Sequence, residues 1–290
     1  MYSQVIPVIK KYDEALIKAD LAKNILLLQI SSQGLIFSLY NQQQNKFLSY
    51  EAIELDPNCN IREAANIFKS YISGNEYLGQ SYQSVKVFLE TNQSTLIPSP
   101  LFNPDEVNSY TKFNFPADDF NKIFFEKLLN LDAYIVYTFP EPLVSIFSGT
   151  LKHYKYFSHS GTFIESLLVL NKNQKNQTTV YVNVRKSFLD ITILNNQKLL
   201  FFNTFKYTTK EDFIYFVIYV MEQLQLNPEE VELVPMGMIE RNSGLFETII
   251  KYVRNVRFQS KIDKFNYSYI FNELTTHKYI NLLLFEMCES

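Results

Sequence analysis

One order of elements occurs twice in this chain, about 150 residues apart, and that recurrence restricts the fold more than any single motif. In the first half, residues 25–30 are an apolar run of strand length. Residues 35–40 are a second run, rich in aromatic and β-branched side chains, and a polar loop beginning at Asn41 leads into a third at 47–55. Asp56-Pro57-Asn58 breaks the chain. Asn60 and Glu63 then stand at capping-box spacing ahead of Ile61, Ala64, Ala65, Phe68 and Ile72, the apolar stripe of a helix, and 85–89 is the next strand. In the second half, residues 180–184 and 189–193 alternate as strands, Asn195-Asn196 marks a turn, and 199–205 is a third strand. Thr208 and Glu211 are spaced as another capping box, and Phe213, Phe216, Val217, Val220 and Leu224 line one helix face. Asn227-Pro228 closes that helix before a strand at 231–234. The hairpin loops begin at 41 and 195, the helices near 60 and 208, and the following strands near 84 and 231.

A helix and a strand continue each unit: 117–130 then 134–137 in the first half, 243–254 then 256–259 in the second. The first half carries an extra stretch at about 92–116, holding Pro98, Pro100 and Pro104, which reads as an insertion or ordered loop. Helical spacing also marks 140–154 and the segment of Phe163, Ile164, Leu167 and Leu168, and the linker-like residues 172–177 divide the chain into halves 1–172 and 178–290. A three-strand meander that crosses by a helix to parallel strands is an α/β arrangement. Its duplication predicts two β-β-β-α-β-α-β halves around a cleft, the pattern of the actin-like ATPase fold with its two ribonuclease-H-like halves.

Composition narrows the chemistry. A chain of 290 residues at ordinary usage holds about 20 glycines, and this one holds 7. Loops that cradle phosphate consume glycine, because the backbone must approach the anion closely. A net charge of −3 gives no electrostatic footprint for nucleic acid. The longest apolar run, 213–221, falls short of a membrane span, and the opening residues lack the features of a secretory signal, so a cytoplasmic location is expected. Cys59 and Cys288 form no metal or disulfide framework, and His153, His159 and His277 have no ligand spacing around them. No Walker loop, Gly-x-Gly-x-x-Gly or Gly-x-Ser-x-Gly is present.

The segments Phe88-Leu89-Glu90-Thr91, Thr95-Leu96-Ile97-Pro98-Ser99-Pro100-Leu101-Phe102 and Tyr110-Thr111-Lys112-Phe113-Asn114 resemble those of a Bacteroidetes family known as a domain of unknown function with an actin-like ATPase fold. Tyr156-Phe157-Ser158-His159-Ser160 and the ending from Asn281 to Glu289 add to the likeness, which spans most of the chain. The wider superfamily includes pilus-assembly and division homologues, sugar kinases and chaperone ATPases. The resemblance implies an Asp-x-Gly at the end of the first strand of each half, whose carboxylate orders magnesium and whose glycine admits phosphate. This chain has Gln29-Ile30-Ser31, followed by Gly34, in the first half and Asn183-Val184-Arg185, followed by Lys186, in the second. Both acid positions are amides and both third positions carry a β-carbon. Where the superfamily places an adenine-side glycine pair, Pro235-Met236-Gly237-Met238 offers one glycine.

The sequence therefore predicts a degenerate nucleotide site, residues Gln29, Ser31, Gly34, Asn183, Arg185, Lys186 and Gly237, with no cofactor, no metal and no catalytic residue. The alternative is a cleft that still holds ATP with magnesium, or another anion, on Arg185 or Lys186. Pilus and division homologues act as scaffolds, so the resemblance implies a protein partner; a homo-oligomer stays open. Asp118 and Asp119 read as helix-opening acids, His159 as part of a helix start, and Asp190 as a carboxylate with no visible partner. The apolar tail, 279–287, reads as a helix docked on its own chain, the alternative being a partner-binding tail.

Overall fold

The computed structural model describes residues 7–16, 18–116, 118, 120–173 and 177–287. Its strands and helices begin with β1 (Ile9–Tyr12), β2 (Asn24–Ile30), β3 (Gly34–Asn41), β4 (Lys46–Phe47), β5 (Ser49–Glu54), α1 (Ile61–Gly74) and β6 (Ser84–Leu89). Next come β7 (Ser94–Pro98), α2 (Val107–Asn114), β8 (Asn121–Lys127), β9 (Ala133–Pro140), α3 (Glu141–Val144), β10 (Tyr154–Ser158) and α4 (His159–Leu170). The later part holds β11 (Thr178–Val184), β12 (Phe188–Asn195), β13 (Lys198–Lys206), α5 (Lys210–Gln223), β14 (Glu232–Gly237), α6 (Gly244–Tyr252), β15 (Asn255–Val256), β16 (Asn266–Tyr267) and α7 (Thr276–Leu284).

Two compact units result. One comprises the residues up to Thr162 together with Asp263–Glu273; the other comprises Phe163–Ile262 and the residues from Leu274 onward. They are not divided at 172–178: α4 continues into the second unit from Phe163, and 263–273 belongs to the first.

The first unit's main sheet runs β1-β5-β3-β2-β6-β10, with β4 and β16 paired beside β3. The second unit's sheet runs β13-β12-β11-β14-β15. From β5 to β10 and from β13 to β15 the order is the same: third, second, first, fourth, fifth. Both sheets pair the first three strands antiparallel and the last two parallel to the first. The duplication read from the sequence is thus a duplication of topology. A central strand flanked on both sides must be apolar on both faces, and every residue of β2 is buried. Phe37, Phe68 and Phe147 fill the core beneath it, and burial of each such side chain stabilises the fold by about 1.5–3 kcal/mol.

The helix expected at 117–130 is a strand, β8, and the strand expected at 134–137 is the middle of a separate sheet ordered β7-β9-β8. Phe120, Ile123 and Phe124 are spaced as a helix face, but Ile123-Phe124-Phe125 is β-branched and aromatic, and the strand mixes half-buried with exposed positions and buries none. Asp118 accepts a hydrogen bond from the Phe120 N–H in the turn before it, at 3.0 Å; Asp119 lies outside the described residues. The fifth strand of the first unit is instead β10. The helix expected at 140–154 is the single turn α3 and a further turn at Ser145–Phe147, ended by Gly149 at φ 78°. The inserted material between β6 and β10 is consequently a three-stranded sheet with α2, more than residues 92–116.

The capping box at Asn60 and Glu63 is present. The second one is displaced by one residue: Thr209 Oγ1 accepts from the Asp212 N–H, and the Asp212 carboxylate accepts from the N–H of Thr208 and of Thr209. Those bonds hold the Asp212 carboxyl below its ordinary range. At the start of α4 the cap is Ser158, whose Oγ accepts from the Gly161 N–H at 3.0 Å, not the residues after His159. The tail forms α7, buried from Tyr279 to Leu284 within the second unit. Among the described residues, no helix is long and apolar enough to cross a membrane.

Candidate functional site

In each unit the first strand leaves the sheet through a two-residue hairpin turn into the second strand. In the first unit the Ser31 N–H donates to the Gly34 carbonyl at 2.9 Å, and in the second the Arg185 N–H donates to the Phe188 carbonyl at 2.8 Å. Ser32-Gln33 and Lys186-Ser187 are the central pairs, and none of these four residues has positive φ. Neither turn therefore needs glycine. The equivalence of Gln29 with Asn183 and of Ser31 with Arg185, read from the sequence, coincides with these registers.

In the first unit Gln29 is buried and its Nε2 donates to Glu90 Oε2 at 2.5 Å. Glu90 follows the end of β6, and its N–H donates to the Ile30 carbonyl at 2.8 Å. Ser31 Oγ accepts from the Gln33 N–H at 3.1 Å. Gly34 pairs with Glu54 of β5, and a β-carbon there would lie 2.7 Å from the Ile53 carbonyl oxygen. Strand packing accounts for this glycine.

The second unit builds a charged cluster at the same place. Asp190, 1 % exposed on β12, sits opposite Asn183. Its carboxylate accepts from Asn183 Nδ2 at 2.9 Å, Arg185 Nη2 at 2.6 Å and Thr204 Oγ1 at 2.7 Å. Arg185 is 8 % exposed, and its guanidinium also lies over the Phe188 ring, 5.5 Å from its centre. Its carbonyl accepts from the Tyr207 hydroxyl at 2.9 Å. Asn281, on α7, donates from Nδ2 to Asn183 Oδ1 at 2.5 Å. Lys186 occupies the first central position of the turn and is half-buried.

Gly237 ends β14 beside Val184 at φ 77°. A β-carbon there would overlap the Val184 carbonyl oxygen and lie 2.7 Å from Asn183 Oδ1. The next residue, Met238, donates its N–H to that Val184 carbonyl at 2.7 Å, the counterpart of the Glu90 bond in the first unit. Close by, His277 of α7 hydrogen-bonds the Ile239 carbonyl through Nε2 at 2.5 Å, and its ring is 4.0 Å from that of Phe258. Burial lowers the His277 pKa.

Gln29, Ser31 and Gly34 thus gather at one turn, and Asn183, Arg185 and Lys186 at another, with Gly237 beside it at the end of β14. Asp190 acquires three partners. Sequence reading missed Thr204 and Asn281, which no spacing links to Asn183, and Glu90, whose position just beyond the fourth strand was the available signal. Among the described residues no group of three His, Cys, Asp or Glu converges.

A family model described as Protein of unknown function (DUF3822) matches residues 13–256. The chain belongs to this family. Its structure is similar to a Bacteroides thetaiotaomicron protein with an actin-like ATPase fold and unknown function, at TM-score 0.81 and 21% identity, covering 94% of this chain and 99% of that one. It is also similar to a chain of a PilM-PilN type IV pilus biogenesis complex, at TM-score 0.62 and 11% identity, covering 91% and 97%. No curated protein matches its sequence. The DUF3822 chain therefore has the actin-like ATPase fold, as the duplicated order of strands predicts.

Proposed function

We propose that this protein is a non-catalytic member of the actin-like group that acts by binding protein, its nucleotide site degenerate. One observation carries the reading: the positions where a working member offers magnesium a carboxylate and phosphate a bare backbone are amides and side chains engaged in internal bonds. Asn183 donates to Asp190 and accepts from Asn281, and Gln29 donates to Glu90. Asn183 and Gln29 carry no charge to offset a divalent cation. Arg185 already forms an ion pair with Asp190, and the space that Gly34 and Gly237 leave is taken by protein oxygen atoms. These residues do not fit a magnesium-bound triphosphate at either turn. A protein partner is consistent with the similar chain being part of a PilM-PilN complex.

The test is thermal unfolding of the purified chain with and without millimolar Mg-ATP. A specific ligand at about a hundred times its dissociation constant adds about 2.7 kcal/mol of stability, several degrees in midpoint. The expected shift is none, with no phosphate release; a saturable shift that needs magnesium would replace this reading with an ATP-binding one.

A further inference from the structure

The second unit's sheet ends at β13, nine residues long and free of proline. Among the described residues no strand pairs with its outer side. The Tyr207 N–H donates to the Ser187 carbonyl at 3.2 Å, and β12 pairs Leu189 with Phe205 and Ile191 with Asn203. An antiparallel ladder alternates bonded and non-bonded pairs, so Phe202, Thr204 and Lys206 turn their backbone groups away from β12. The Thr204 N–H is met by Asn203 Oδ1 at 2.8 Å. An aromatic row leads from this edge onto α5: Phe205 stacks on Phe216 at 4.7 Å, Phe216 meets Tyr215, and Tyr215 stacks on Tyr219 at 5.7 Å. Tyr215 and Tyr219 are 59 % and 42 % exposed.

Charge decides what such an edge accepts. Lys198 and Lys206, both exposed, close the two ends of β13, and no acid lies between them. Of the acids at the start of α5, Glu211 faces Lys210 at 3.9 Å and Asp212 caps the helix. A second copy of β13 is disfavoured: paired antiparallel about Phe202, Lys198 meets Lys206, and paired parallel in register, each lysine meets itself. Like charges directly opposite destabilise a strand pair, whereas opposite charges stabilise it.

We propose that β13 receives an extended segment of a protein partner as an added strand, with an alternating apolar centre and acidic residues at both ends. This rests on the protein-binding reading and gives that partner's chemistry. Main-chain hydrogen bonds would supply affinity, the lysines and the Tyr215–Tyr219 face selectivity.

A displayed library of random peptides of nine residues, the length of β13, selected on the full chain, tests it. Selected peptides should alternate apolar residues between Asp or Glu ends. Reversing both exposed lysines, K198E with K206E, should weaken the best synthetic peptide about tenfold at low salt and favour its lysine-ended counterpart. N-methylation of alternate peptide residues should abolish binding in one phase and spare it in the other, a readout that leaves the protein untouched. No selected peptide, peptides without acidic ends, or indifference to methylation would overturn the proposal. So would a dimer, seen by ultracentrifugation, that the lysine reversals alter. A chain that ignores Mg-ATP and selects no peptide loses the β13 site alone; a chain that binds Mg-ATP loses the non-catalytic reading, whatever the selection gives.

Discussion

The two units each bury one carboxylate in the sheet, and they stabilise it in opposite ways. Glu51, on the third strand of the first unit, is surrounded by neutral donors: the hydroxyls of Tyr12 and Tyr71, and Asn75 Nδ2 at 3.1 Å. Asp190, on the second strand of the second unit, has a guanidinium at 2.6 Å, an amide and a hydroxyl. A neutral shell hydrogen-bonds a carboxylate without cancelling its charge, so desolvation dominates and the Glu51 pKa is raised. An ion pair balances the charge but commits both partners, since removing one leaves the other buried and uncompensated. In the second unit this ion pair, Arg185 with Asp190, lies beside the turn that follows the unit's first strand.

The largest expected effect separates the two shells. Asp190→Ala strands the Arg185 guanidinium and should cost about 3–5 kcal/mol, whereas Glu51→Gln keeps an acceptor for the phenols and should cost about 1–2 kcal/mol. Urea unfolding followed by circular dichroism and by tyrosine fluorescence measures both. The double variant Asp190→Leu with Arg185→Met sharpens the contrast: it should cost less than Asp190→Ala alone, because no charge is left unpaired. Equal costs for Asp190→Ala and Glu51→Gln would show that Arg185 is compensated by solvent, and the comparison would collapse.

Next in size are the two glycines. Gly237→Ala meets both a positive φ and an overlapping carbonyl, and should destabilise by about 3 kcal/mol. Gly34→Ala meets one carbonyl in ordinary strand geometry and should cost about 1–2 kcal/mol. The same unfolding curves check the order. A Gly34→Ala variant as damaged as Gly237→Ala would mean that β5, held between β1 and β3, cannot yield.

What could be read in advance follows the range of the interactions. Strand alternation, helix stripes and the Asn60 cap act within a few residues, so the β-β-β-α-β order that opens both units was legible, as was the alignment of Gln29 with Asn183. The inserted sheet was not: Phe120, Ile123 and Phe124 satisfy helical spacing, and what selects a strand is the company of Phe124, stacked on Tyr137 at 5.4 Å and edge-on to Tyr156 at 5.7 Å. Asp190 looked solitary because only the folded sheet brings up its partners Asn183, Arg185 and Thr204. Asn183 faces it across a hairpin, Thr204 lies on the next strand, and Asn281, which completes the shell through Asn183, lies 98 residues beyond that amide. The displaced cap at Thr209 is a smaller case, since Thr208 and Thr209 present the same local signal and the helix start decides between them.

The smallest effect is a difference in sign between the units as pH changes. Glu51 has its folded pKa raised by burial, so the stability attached to its protonated form is fully present below the ordinary glutamate value of 4.5 and is lost as pH rises through the elevated one. His277 has its folded pKa lowered, again by burial first. Stability attached to its neutral ring is present above the ordinary 6.5 and is lost as pH falls through the depressed value. Glu51→Gln should therefore flatten the decline in stability on the rising side, and His277→Gln, which keeps a donor for the Ile239 carbonyl, the decline on the acid side. Unfolding midpoints measured at constant ionic strength from pH 4 to pH 8 separate the two slopes. If His277→Gln flattened the rising side instead, the imidazole would be charged in the folded protein, paired with the Glu240 carboxylate that Lys278 now engages, and the second unit would rely on an ion pair at His277 as it does at Asp190.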